Sequence, residues 1–491
     1  MNNSKKRVVI MGAGPAGLTA GLELANSKKF SVDIIEREPV IGGLARTTEY
    51  KKCLFDIGPH HYITSSKKVE NWWKDLMQKD FLHLKRFTRI FYKKHFFLYP
   101  LEPINALLGL SIFESFRCVL SYIKIRLFPI KQAQSLQDWV TNRFGHRLFS
   151  IFFKTYSEKL WGISCSRISA DWSAQRIKNF SLSQAIFYAF FGKWFKKNAP
   201  RTICDEFFYP VNGSGTLWEK VAHNFNTCDD TKIWLQEEIV SIEHDGKKIT
   251  ALCAKKTDAQ TSKPQVQKLT TYSGDYFISS MTLKTLVKSM DPLPPTHVIE
   301  AANKLFYRGL ITINLIVEKA NICPDHWLYI HEKNLKMVRL GNMNNFSIKM
   351  VNHENKTALS LEYFEWAGQG IWEKTDQELV ELGKQELEQI GLAKATDVRD
   401  GMIMRIPEAY PVYDMGYQTP LSIVLDYIKQ FPNLQLVGRN GMHRYNNMDS
   451  AMLSAWEATK NIIEHEAKQT KYKTPPQTTP CHPELVSGSK P

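Results

Sequence analysis

Residues with the types and spacing for chemistry appear within the first forty positions of this 491-residue chain. Gly12-Ala13-Gly14-Pro15-Ala16-Gly17 follows directly on the apolar run 7–11 (RVVIM) and precedes a helix-forming stretch, 18–25. Strand, glycine turn and helix are the context that a G-x-G-x-x-G match requires. Gly12 can make the tight turn, Gly14 lets the backbone approach a pyrophosphate, and Gly17 lets the helix pack on the strand. The helix start at Pro15 and Ala16 then faces the phosphates, where unpaired N–H groups and the helix dipole favour negative charge. A second apolar run, 31–35, ends at Glu36, followed by Arg37. That acid stands about twenty residues past the glycines, where a carboxylate holds ribose hydroxyls. Three glycines could be a plain loop, but strand, helix and terminal acid all agree on a dinucleotide site.

The continuation narrows the cofactor. Gly42-Gly43-Leu44-Ala45-Arg46-Thr47 comes next, then Phe55-Asp56-Ile57-Gly58-Pro59-His60. With these segments the sequence resembles the flavoenzyme clan that includes amine oxidases, protoporphyrinogen oxidases, phytoene desaturases and UDP-galactopyranose mutases. The resemblance implies FAD, with Gly43, Leu44 and Arg46 along its pyrophosphate and the 55–58 segment beside the flavin ring. It also implies that backbone near Val240 contacts the adenine end.

Three further segments would supply the substrate wall. Gly58-Pro59-His60-His61-Tyr62-Ile63-Thr64 resembles a mutase stretch with His60 on its histidine, but departs at Ile63, where mutases carry a second one. His60 is assigned to tuning or positioning at the flavin face; a structural histidine is the plain alternative. Tyr156-Ser157-Glu158-Lys159-Leu160-Trp161-Gly162, with Arg176 beyond it, is similar to a mutase motif. That likeness implies Tyr156 and Trp161 along uridine and sugar and Arg176 at the diphosphate, against ordinary aromatic packing. Gly438-Arg439-Asn440-Gly441-Met442-His443-Arg444-Tyr445-Asn446-Asn447-Met448-Asp449 keeps the mutase spacing. Arg439 and Tyr445 suit pyrophosphate oxygens, the first by a bidentate fork. Gly438, Met448 and Asp449 fall to the cofactor, with Asp449 expected to cap a helix whose N-terminus faces the flavin. Upstream, Tyr410 and Tyr413 are candidates for the pocket wall.

The elements that must position these groups suggest α/β architecture: a Rossmann-type FAD-binding domain with an inserted α+β substrate domain. The FAD domain is expected from 1–68, 204–291 and 401–466, and the substrate domain from 69–203 and 292–400. Helical segments are expected at 69–79, 111–124 and 136–159, strands at 310–317, 336–340, 346–350 and 358–363, and a disordered tail at 467–491. The basic-aromatic stretch 85–94 reads either as a hairpin with a solvated face or, together with 111–131, as an amphipathic membrane-contact surface.

Composition adds bounds. The chain is 43% apolar, enough for a large core and two domains. Its eight cysteines are scattered without a C-x-x-C pair, so neither a disulfide framework nor a metal site is expected, and a reducing, cytoplasmic setting is. The run 104–128 carries Glu114, Arg117, Lys124 and Arg126 and is no membrane span. A formal charge of +15 suits an anionic small-molecule substrate such as a nucleotide sugar, or peripheral contact with the inner face of a membrane. No nucleic-acid motif accompanies it. The function expected from the sequence is an FAD-dependent oxidoreductase passing hydride to flavin N5. The alternative is a mutase-like isomerase, in which reduced flavin attacks the sugar's anomeric carbon.

Overall fold

The computed structural model describes residues 5–99, 110–171, 206–257 and 269–473. Its centre is a five-stranded parallel sheet in the order Leu434–Leu436, Tyr276–Ser279, Lys6–Met11, Phe30–Ile35, Thr231–Trp234. Strands buried on both faces read as unbroken apolar runs rather than alternating ones, and Val8, Val9, Ile10 and Met11 are all fully buried. One face takes the helices Pro15–Asn26, Gly215–Asn226 and Met448–Lys473. The other takes a four-stranded sheet built on the hairpin Glu237–His244 and Ile249–Lys256. The expected α/β architecture with a Rossmann-type unit is the one observed.

A separate seven-stranded sheet runs Val398–Pro411, Tyr307–Val317, Thr357–Glu365, Arg339–Asn342, Trp327–Ile330, Thr88–Tyr92, His95–Leu98. The helix Asp376–Gln389 covers one face. Leu136–Phe144 and Thr155–Trp161 cover the other, beside the cavity described below.

Several expected elements differ. The boundary at 401 falls inside the strand Val398–Pro411, which pairs along its length with Tyr307–Val317. The helical segment 136–159 is broken at Gly145, whose φ of 82° ends the first helix. A Cβ there would stand 2.8 Å from the Tyr122 amide nitrogen, so close packing against the preceding helix dictates the break. The strand expected at 346–350 is a helical turn, Met343–Phe346, followed by a 3₁₀ turn, Ile348–Met350. Asn342 and Ser347 side chains accept from backbone N–H groups two residues on, a local competition that apolar content does not reveal. The last helix continues to Lys473, so residues 467–473 are helical; 474–491 lie outside the described residues. The 85–94 stretch includes a hairpin, Thr88–Tyr92 with His95–Leu98, turning at Lys93 and Lys94.

Candidate active site

At the C-terminal end of the parallel sheet, the glycine turns open onto a cavity of about 580 Å³. Gly12 adopts φ 102° and donates its N–H to the Ile35 carbonyl at 2.8 Å, locking the turn to the neighbouring strand. A Cβ on Gly17 would lie 1.9 Å from the Gly12 carbonyl oxygen. Only glycine lets the helix start so close to the strand. Gly14 caps the helix without a side-chain acceptor, and Pro15 occupies its first turn. The first-turn N–H groups therefore point outward unspent.

The second turn closes the cradle. Gly42 and Gly43 have φ of 96° and 52°, and a Cβ on Gly43 would sit 3.0 Å from Gly14 Cα. The third glycine turn meets the first: a Cβ on Gly438 would be 3.0 Å from Ala16 Cβ. Glu36 lies at the same end, its carboxylate accepting from Ala13 N–H at 2.7 Å and Glu38 N–H at 3.0 Å. Burial raises its pKa, with these hydrogen bonds working the other way. Each oxygen keeps a lone pair for a ribose hydroxyl. Arg37, Leu44 and Arg46 also line this end. Val240 does not; Glu237, Glu238 and Ile239 do, because the strand register shifts between Ile239 and Ser241 and leaves Val240 as the bulged residue. Glycine cradle, free helix amides and acid together fit the adenosine-diphosphate part of FAD.

The opposite end gathers charge and aromatic rings. His60 Nδ1 stands 3.0 Å from the Gly58 carbonyl oxygen. A carbonyl only accepts, so Nδ1 carries the proton. Burial lowers the His60 pKa to about 4, with Arg439 and Arg339 adding to the effect. The imidazole is therefore neutral at neutral pH and keeps Nε2 as an acceptor. Arg439 donates Nε to the Asn446 carbonyl at 2.9 Å and Nη1 to the Ala409 carbonyl at 3.2 Å. Its guanidinium lies 4.6 Å from the Tyr410 ring centroid and 5.3 Å from that of Tyr445, and those two rings stack at 5.2 Å. Tyr156 stacks on His331 at 5.1 Å and lines the same cavity.

Trp161 is fully buried and meets Tyr410 and Tyr445 edge-on. It backs the wall without lining the cavity. Arg176 lies outside the described residues. Met448 lines the cavity. Asp449 departs from its expected capping place, because the helix begins one residue earlier. Its carboxylate accepts from Ser450 N–H at 2.7 Å and from Thr64 Oγ1 at 3.0 Å. Asp56, in the segment expected beside a flavin ring, is fully buried under the wall. It accepts from Thr47 Oγ1 at 2.6 Å, Tyr209 OH at 2.7 Å and Ser214 N–H at 3.1 Å, and burial pushes its pKa up to about 6.

Sequence reasoning missed Arg339. Its guanidinium donates to Glu362, directly opposite on the neighbouring strand, and reaches the Tyr410 hydroxyl at 3.5 Å. Its Nε has no partner among the described residues. Burial pushes the Tyr410 pKa up, but the two arginines outweigh it and the net direction is down. The signal available was a charge inside each of two apolar runs: Arg339 in 336–340, which Lys336 opens, and Glu362 in 358–363. Pairing the two needed the strand register.

Residues 10–78 match the model of an NAD(P)-binding Rossmann-like domain. The whole fold is similar to that of a UDP-galactopyranose mutase in its reduced form, with TM-score 0.76 and 18% identity over 96% of this chain and 97% of that one. An Exiguobacterium sp. 255-15 protein, provisionally assigned as a protoporphyrinogen oxidase, gives TM-score 0.72 and 15% identity over 94% and 99%. A putrescine oxidase variant gives 0.58 and 13% over 94% and 99%. At these identities the likeness shows a shared fold, the one the motifs led us to expect.

Proposed function

We propose that this protein is an FAD-dependent enzyme acting on a nucleotide sugar, with mutase-type chemistry. The observation that carries this reading is the convergence of Arg339 and Arg439 on Tyr410, in the cavity that begins at the glycine cradle. Two guanidiniums and the phenols of Tyr156, Tyr410 and Tyr445 make a donor set for a diphosphate. Glu362 neutralises Arg339, so Arg439 supplies the net positive charge. Two of its N–H groups are held by backbone carbonyls, which fixes the remaining ones toward a ligand before it arrives and lowers the entropy cost of binding. When bound, FAD supplies a ring that is nucleophilic at N5 if reduced and accepts hydride if oxidised. Neutral His60 offers an acceptor nitrogen to a ligand hydroxyl without adding a charge of its own.

This reverses the order expected from the sequence, because none of the described residues of 104–128 lines the cavity. The hydride-transfer reading keeps one observation in its favour: the cavity extends to Ile90, Phe152 and Phe153, an apolar end suited to a lipophilic donor.

Titration of UDP and UDP-galactose into the flavin-loaded protein, following the flavin spectrum before and after dithionite reduction, separates the two. The proposal expects micromolar binding that tightens on reduction and weakens about tenfold or more in Arg439→Ala, the loss of one charge-assisted contact. Absence of any response in both redox states would remove nucleotide sugars and send the search to amines, polyenes and porphyrin precursors.

A further inference from the structure

The helix Ile112–Leu127 carries an apolar face that the rest of the described chain leaves in solvent. Ile112 is 87% exposed, Phe113 84% and Leu127 68%, and Phe116, Val119, Leu120 and Ile123 are exposed beside them. At 100° per residue these seven positions fall within one arc of about 120°. Protein contacts use the opposite side. Cys118 is buried in a cluster with Ile90, Phe97, Ile151 and Phe152, Ser121 Oγ accepts from Arg147 N–H at 3.0 Å, and the Arg147 guanidinium donates to Glu114. The helix is thus fixed with its apolar stripe outward.

We infer that this face seats the protein on an anionic lipid surface. The charges around the stripe select that occupant. Arg117 and Lys124 border it on one side and Arg126 on the other, all three exposed. The helix's one acid, Glu114, is engaged on the protein side by Arg147 and Arg117. An apolar stripe with cationic edges lets lysine and arginine stems lie along acyl chains while their heads meet lipid phosphates. A second copy of this chain would bring the same cations against one another, which disfavours self-association. Among the described residues no helix is long and apolar enough to cross a membrane, so the contact is interfacial. It also has a geometric consequence. Ile90 and Phe152, which share the cluster beneath the helix, line the apolar end of the cavity, so lipid contact places that end next to the membrane.

The test is flotation of the full-length protein with vesicles of phosphatidylcholine alone and of phosphatidylcholine mixed with phosphatidylglycerol. Two variants accompany it: Phe113→Ser/Phe116→Ser, and Arg117→Gln/Lys124→Gln/Arg126→Gln. The wild type is expected to float with the anionic vesicles, less so as salt rises. Each cation contributes roughly fivefold, so the triple variant should lose binding by about a hundredfold and the double variant by about tenfold or more. Circular dichroism and gel-filtration mass should not change, which separates lost binding from lost folding. Three outcomes overturn the inference: no flotation with anionic vesicles, equal flotation of wild type and both variants, or a wild-type oligomer that becomes monomeric in the double variant.

Discussion

His60 and His331 show how burial sets the chemistry of a residue. Burial lowers their pKa values to about 4 and about 3, and that of His443 to about 4, from an ordinary 6.5. The unfolded chain then binds protons that the native state refuses, so stability falls as pH drops below 6.5 toward 4. Asp56 works in the opposite sense. Its folded pKa, raised to about 6, gives a contribution complete below 3.8, its ordinary value, and lost as pH rises through 6. Glu36, Asp325 and Glu362, whose pKa values burial also raises, act in the same sense as Asp56. The His331 contribution is lost between pH 6.5 and 4, so His331→Phe should lose less of its urea midpoint over that window than the wild type. Arg339 and Glu362 form a buried pair. Arg339→Met leaves an uncompensated carboxylate and should cost about 3–5 kcal/mol in urea unfolding. Arg339→Met/Glu362→Leu should recover most of that stability while leaving diphosphate affinity weak.

At the scale of elements, Lys159 ties a helix to a sheet. Its ammonium, on Thr155–Trp161, donates to the carbonyls of Ile330, Glu332, Leu335 and Met337 at 2.7 to 3.3 Å. Burial lowers its pKa to about 8, which leaves it charged at neutral pH. This staple holds Tyr156 against His331. Lys159→Met should destabilise the protein by about 3 kcal/mol, since four carbonyls lose a charged donor, and thermal unfolding with ligand titration would show both the loss and a weaker affinity. The glycine turns act at the same scale. In Gly17→Ala the new methyl group meets the Gly12 carbonyl, so the helix must move off the strand, and the purified variant should retain little flavin by its absorbance ratio.

For the whole molecule, net charge governs encounter rather than fold. A formal +15 should draw an anionic substrate toward the cavity, and salt screens that pull over about 8–10 Å at physiological strength. The association rate for UDP in stopped flow should fall several-fold as salt rises from about 0.01 M to 1 M, with a much smaller change in the dissociation rate. A flat profile would mean that the surface charge lies away from the cavity mouth.

Local sequence determined the opening strand, glycine turn, helix and acid, because each is decided by neighbours within a few residues. It also marked His60, Tyr156, Arg439 and Tyr445, which the fold brings to one cavity. Only tertiary structure decided what long-range pairing controls. The Arg339–Glu362 contact depends on the register between two strands. The break at Gly145 depends on a neighbouring helix. Trp161 stands behind the wall rather than in it, because two tyrosines from distant segments stack in front. A sequence states which groups are available; register and packing state which of them meet, since those energies belong to residues far apart along the chain.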